Sequence, residues 1–285
     1  MHVDLELLTI LFAVNAIGAL GFYVTFTSGQ FSLAHGAMYA IGGYAGAYVT
    51  TALGWHFLLA IVSGFACSAI IGGVLARLLA GVRGLYFGVA TLAFGVVVVE
   101  AIKRIPALGG PFGLAGVPIF TNLPVSIVAL VLVGLVALKL DRSPLYVAHA
   151  ATRIDQEAAL VMGIDVKRTR GVAFAMGGGI TGIAGVLYAG STSVVSPDLG
   201  SFHMSLAFLL MVVIGGANSW RGPILGAAIW TVLPEVFRST DELRMVLFGV
   251  AAIVIVVWRP QGIIPRRIFR AKADVAKIPA ISATV

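Results

Sequence analysis

The sequence predicts an all-α bundle of transmembrane helices with about eight to ten spans, and three observations carry that reading. Apolar residues make up 59% of the 285 and charged residues only 11%, far below the roughly 25% charged of a soluble domain. Mean hydropathy is +1.03, and several apolar runs reach the roughly 20 residues that a helix needs to cross a hydrocarbon core about 30 Å thick. The period-two alternation of a membrane barrel strand is absent.

The first apolar run, Leu7 to about Phe26, follows Asp4 and Glu6 with no Lys or Arg and no small-residue cleavage site. It reads as a retained helix rather than a signal peptide. Further spans are predicted near 36–53, 57–79, 85–102, 124–140, 171–190, 204–217, 223–238 and 244–258, with a broken or re-entrant stretch near Gly29–Gly36 as an option. Residues 107–124, rich in Gly and Pro, read as an irregular loop between spans. Among the 35 glycines, Gly42-x-x-x-Gly46 and Gly178-x-x-x-Gly182 have the helical spacing that lets backbones approach closely or slide. Trp55, Trp220 and Trp258 fall at span ends as interfacial anchors, whereas Trp230 lies mid-span and should pack against a neighbour. Cys67, the single cysteine, is expected to be a small buried hydrophobe.

No linker divides the chain, so residues 1–265 are read as one transmembrane domain and 266–285 as a basic tail. Positive charges in short loops stay cytoplasmic. A cytoplasmic C-terminus puts Arg77, Arg83, the six cations from Lys139 to Arg170, Arg221 and six in the tail inside, which is fifteen of the 19. Lys103, Arg104, Arg238 and Arg244 then face outside. This distribution is a topology signal, and no nucleic-acid partner is expected.

One segment contradicts the apolar rule. Residues 139–170 carry ten charged side chains and cannot lie in lipid. Ser143-Pro144 has the form of a helix start. Ile154, Ala158, Val161 and Met162 make an apolar stripe on a short helix, Arg153 and Glu157 sit four apart on another face, and Gly163 fits its end. From physics alone this is either a solvated helix resting on the membrane surface or a docking element that a soluble partner pushes.

Gln30, Ser32 and His35 form a dense polar group flanked by spans and are the candidate substrate-pathway residues. The bland alternative for His35 is a hydrogen-bonded packing residue. Glu100 and Glu235 lie near span ends, where pairing is the expected role, and Asn218 and Ser219 follow Gly215-Gly216 at a turn. There is no catalytic triad, nucleophile elbow, metal-ligand spacing or phosphate-binding G-x-x-x-x-G-K-[ST] loop, so neither catalysis nor a resident cofactor is expected.

The stretch DQEAALVMGID (155–165) resembles the EAA-type loop of ABC importer permeases. With SGQFSLAHGAMYAIGGYAGAY (28–48), GLYFGVATLAFG (84–95), the run from Val195 to Ile229 and WRPQGIIP (258–265), the chain resembles permease subunits of branched-chain amino acid ABC importers. It differs in carrying Leu145-Tyr146 after Ser143-Pro144, where that family usually has Gly-Arg. The resemblance implies a multi-pass protein of a bacterial-type cytoplasmic membrane, working with a second related permease, two ATPase subunits that hold ATP and Mg, and an extracytoplasmic solute-binding protein. It also implies that Arg153, Asp155 and Glu157 supply polar contacts to an ATPase while Ala158, Ala159 and Gly163 allow close approach. An ion-coupled secondary transporter is the rival, yet it would need charges near the bilayer midplane in two repeated halves, which this chain lacks.

Overall fold

A computed structural model describes residues 5–82 and 84–236, together with Gly249 and residues 262–264. Ten α-helices follow in order: α1 Leu5–Thr27, α2 His35–Thr51, α3 Phe57–Leu78, α4 Leu85–Lys103, α5 Leu123–Asp141, α6 Pro144–Ile154, α7 Gln156–Val161, α8 Val166–Thr192, α9 Phe202–Gly215 and α10 Arg221–Val236. All but α6 and α7 fall on eight of the nine expected spans. The ninth, 244–258 apart from Gly249, lies outside the described residues, as do Arg83, Arg238, Arg244, Trp258 and the tail 266–285.

By length and composition α1, α3, α4, α5 and α8 can each cross a membrane. Helices α2, α9 and α10, with 17, 14 and 16 residues, span about 21 to 26 Å. Non-α segments precede two of them, residues 28–34 before α2 and residues 193–201, with a short strand and a 3-10 turn, before α9.

Two helices form the centre. In α1 every residue from Ala16 to Thr25 is buried, and α8 buries Gly177 to Thr181 and neighbouring turns. Helices α3, α4 and α5 lie around them and turn apolar faces outward, including Val62, Ile70 and Val74, Val96 and Val97, and Val128, Val131 and Leu132. Apolar side chains outside and small residues between helices are what a lipid solvent selects. Cys67 is exposed on α3, against expectation. The buried face of α3 runs through Ala60, Gly64, Ser68 and Gly72 to Leu75 and Ala76, a stripe that Cys67 does not share.

Glycine sets the closest crossing. A methyl group on Gly43 would lie 3.2 Å from the Gly185 carbonyl oxygen. One on Gly182 would lie 2.6 Å from that of Gly64, so α2, α3 and α8 meet backbone to backbone. The expected glycine pairs thus join different helices.

Helix ends follow local chemistry. Asn122 caps α5, Ser143 caps α6 ahead of Pro144, and Asp165 caps α8 by accepting the Arg168 amide at 3.0 Å. Helix α2 has no local cap, because Ala34 precedes it; the Gly36 amide donates instead to Ser205 Oγ on α9, 2.8 Å away. At one end of the bundle a two-residue ladder pairs Leu114–Ala115 (β1) with Val194–Val195 (β2). That end is called the far end below. The other, carrying α6 and α7, is the loop end.

Candidate functional site

The charged segment forms two helices, where the sequence suggested one. Asp155 adopts φ −151 and ψ 114, which ends α6 and starts α7. Its carboxylate accepts the amides of Glu157 at 2.9 Å and Ala158 at 3.1 Å, an N-cap for a new helix. Arg153 and Glu157 therefore lie on different helices, and their four-residue spacing no longer stacks them. The single stripe of Ile154, Ala158, Val161 and Met162 is corrected for the same reason. Ala159 is the residue buried beneath α7, while Ala158 is exposed.

Gly163 ends α7 as anticipated, with φ +81 and no atom within 4 Å of where its side chain would be. Around it Ile154, Leu160, Val161 and Met162 are 74%, 53%, 90% and 67% exposed. Four large apolar side chains thus stand exposed together on a segment that is otherwise charged.

Helix α6 is docked firmly from beneath. His149 and Thr152 are buried, and His149 Nδ1 lies 2.9 Å from Thr27 Oγ1. The Thr27 hydroxyl donates to the Val24 carbonyl, so the His149 ring donates to it and Nε2 is left as a buried acceptor with no protein partner. Burial pushes the His149 pKa down to about 4, and the ring is neutral at ordinary pH. Beside it, Gly29 at φ +79 would bring a methyl group to 2.9 Å from Arg153 Cα. Only glycine lets residues 28–30 pass under α6.

Gln30, Ser32 and His35 are 2%, 0% and 0% exposed, and each is engaged inside the protein. Gln30 Nε2 donates to Ser28 Oγ and to the Arg170 carbonyl, both at 2.8 Å. Ser32 Oγ accepts the Ala34 amide. His35 Nε2 meets Thr25 Oγ1 at 3.1 Å, between the rings of Phe22 and Phe174, and its Nδ1 has no protein partner. Arg170, itself buried, sets its guanidinium 5.3 Å from the Phe87 ring centroid. The three residues thus belong to a closed polar knot that ties α1, α2 and α8 at the loop end, with Thr91 of α4 holding the Leu33 amide.

The two residue sets inferred separately from the sequence meet at Gly29 and Arg153. Any displacement of α6 bears directly on residues 28–30, whose next member, Gln30, grips the α8 backbone. Asp141 makes a second junction, accepting from Tyr23 on α1 at 2.9 Å and from the Trp220 amide at 3.1 Å. Sequence reasoning missed Thr25, Thr27, His149, Arg170 and Ser205, whose partners stand more than a hundred positions away in most cases.

Toward the far end the bend Pro197–Gly200 turns back into the bundle, where a methyl on Gly200 would reach Val99 on α4 at 2.8 Å. Beside it opens a cavity of about 530 Å³ bounded by Asn15, Asp198, His203, Met204, Trp230 and Glu235. Its lining combines apolar walls with carboxylates and the start of α9. The turn signature Ser196-Pro197-Asp198 was readable, although the cavity it helps build was not.

Residues 5–257 match the family model described as branched-chain amino acid transport system / permease component. The chain is 29% identical over 298 residues to the high-affinity branched-chain amino acid transport system permease protein LivM of Escherichia coli, covering 92% of this chain and 70% of that protein. It is 25% identical to BraD of Pseudomonas aeruginosa, covering 88% and 91%, and 29% identical to LivH of Escherichia coli over 115 residues, covering 39% and 37%. A solved structure, PsaBC from Streptococcus pneumoniae in complex with Fab, aligns with 88% of each chain at 16% identity and a TM-score of 0.46, too loosely to carry an argument. With a match running from the first residue of α1 through α10 and beyond, the chain belongs to the branched-chain amino acid transport permease family.

Proposed function

We propose that this chain is one half of the membrane pathway of an ATP-driven importer, carrying branched-chain amino acids or a related small organic solute. A second, related permease completes the pathway. Similarity to both LivM and LivH of one organism supports such a pair. Two ATPase subunits, which hold the ATP and Mg, dock at the loop end, and an extracytoplasmic solute-binding protein delivers solute at the far end. The loop end then faces the cytoplasm, in keeping with Arg77, Lys139, Arg142, Lys167 and Arg168 gathered there.

The observation that carries this reading is the exposed apolar face of α7 and the end of α6, seated on a rigid link to the buried knot. Covering Ile154, Leu160, Val161 and Met162 with a partner is worth roughly 1.5 to 3 kcal/mol per fully buried side chain. Force applied there passes through α6 to residues 28–30 and then to α8. Asp155 and Glu157 supply polar contacts at the rim, and the cavity beside Asp198 and His203 supports solute entry from the far end.

Affinity purification of the tagged chain in mild detergent tests the proposal. Recovery of a second permease and ATPase subunits, with hydrolysis stimulated by a solute-binding protein, is the expected result. Recovery of the chain alone, moving solute without ATP in vesicles, would overturn it in favour of a secondary transporter.

A further inference from the structure

Helices α3 and α8 are in close contact along their middles and part toward the loop end. At Gly179 an added methyl would lie 2.6 Å from Phe65, and at Gly178 3.2 Å from the Ser68 carbonyl oxygen. Nearer the loop end Gly72 still meets the Phe174 carbonyl oxygen at 3.2 Å, but on the slot side Gly73 meets only Ala175 at 3.5 Å and Gly171 meets nothing within 4 Å. The resulting slot has a volume of about 790 Å³, with Ile70, Val74 and Val172 in its walls and Arg77, Lys167 and Arg168 at its mouth.

The three cations have no carboxylate in ion-pair range among the described residues, where the recorded pair is Lys103 with Glu100. Asp165, the acid nearest in sequence, has its carboxylate turned to the Arg168 amide as the cap of α8. Lys167 and Arg168 occupy the first turn of α8 and Arg77 the last turn of α3, so all three stand at the membrane edge. Ile70 lies seven residues deeper on α3 than Arg77, about 10 Å into the hydrocarbon.

We propose that this slot binds an anionic phospholipid, its phosphate held by Arg77, Lys167 and Arg168 and one acyl chain lying between α3 and α8. Each half of the site selects against a simpler occupant. A free phosphate satisfies the cations and leaves the apolar slot empty, whereas a zwitterionic lipid fills the slot and brings its own ammonium to the cations. Basic pockets between membrane helices recognise anionic headgroups by this combination. The site shares no residue with the coupling face or the polar knot, and it does not depend on the import reading.

Native mass spectrometry of the delipidated full-length chain, titrated with phosphatidylglycerol or phosphatidylethanolamine of the same acyl composition, tests the site. Each basic residue near the surface contributes about a factor of five to the attraction of an anionic lipid. Replacing all three with Gln should weaken phosphatidylglycerol on the order of a hundredfold and abolish its preference over phosphatidylethanolamine. The double variant Lys167→Gln/Arg168→Gln should show about a 25-fold loss, which preserves the test should the triple variant not fold. Gly171→Leu, which fills the slot where no protein atom stands in the way, should weaken both lipids. Lys139→Gln/Arg142→Gln removes equal charge elsewhere at the loop end and should change neither. Equal binding of the two lipids, unchanged binding in Gly171→Leu, or inorganic phosphate bound as tightly as the lipid would each overturn the proposal. If another protein segment covers the slot, the Gly171→Leu result is the one that reveals it.

Discussion

Glycine-to-alanine substitutions at two positions of α8 should move stability in opposite directions. At Gly171 a methyl group meets no atom within 4 Å, so Gly171→Ala gains the helix propensity that glycine lacks, about 0.5 to 1 kcal/mol. At Gly185 the methyl would lie 2.8 Å from Gly43 N and 2.9 Å from Tyr39 C, and closer still to the Tyr39 carbonyl oxygen. These are backbone atoms of α2 and cannot rotate away, so α2 and α8 must separate by about an ångström along a seam that also includes Gly42 and Gly182. Overpacking of this kind costs about 1 to 3 kcal/mol, and a rigid backbone on both sides puts Gly185→Ala at the upper end. The pair should therefore differ by about 3 kcal/mol, or about 6 to 12 °C in Tm for a chain of this size. Thermal unfolding in detergent under one heating rate gives the comparison, since irreversible transitions depend on scan rate. A Gly185→Ala variant within 1 °C of wild type, or a Gly171→Ala variant that falls equally, would refute the view that this crossing is set by backbone contact.

Four further outcomes follow from the same geometry. Asp155→Ala removes the cap of α7 and should cost about 1 kcal/mol of local stability, seen as faster amide exchange at Glu157 and Ala158 together with weaker ATPase stimulation. Val161→Asp/Met162→Asp should lower ATPase co-purification at unchanged Tm, because both residues are exposed in the chain itself. Gly163→Arg should uncouple hydrolysis from uptake. Its positive φ of 81 adds strain of about 1 to 2 kcal/mol for any side chain, so Gly163→Ala, with the strain and without the bulk, should retain most coupling. His149 has a pKa lowered by burial to about 4, so the unfolded chain takes up its proton first. The docking of α6 is at full strength above about pH 6.5 and weakens as pH falls toward 4, which exchange rates across residues 144–154, corrected for intrinsic pH dependence, should report.

Much of the architecture was legible because it depends on local chemistry. Long apolar runs place α1, α3, α4, α5 and α8 to within a few residues, and Ser143-Pro144 and Gly163 mark the start of α6 and the end of α7 as expected. The break at Asp155 was also written there, as an acid two residues ahead of Glu157 on a helix start. It was misread because the apolar stripe from Ile154 to Met162 outweighed one capping carboxylate. Cys67 was misassigned because nearly every position in an apolar run is hydrophobic, and the part of the buried stripe around it is made of Ala, Gly and Ser rather than of larger side chains.

The polar interior was illegible for a different reason. Gln30 and His35 were visible as polar residues between spans, yet nothing near them in sequence specifies the Arg170 carbonyl as partner of Gln30 or the Phe174 ring beside His35, and the Gly36 amide is answered by Ser205 on α9. Such pairings are decided by which helices touch, and that depends on small residues whose importance lies in what they lack. Gly29 shows this most directly, since a side chain there would collide with Arg153 and lift α6 from the core. The candidate solute-path residues and the candidate docking segment are therefore neighbours, with Gly29 against Arg153. On the proposed function, a push on α7 reaches the knot through α6, which sits directly on residues 28–30 because position 29 carries no side chain.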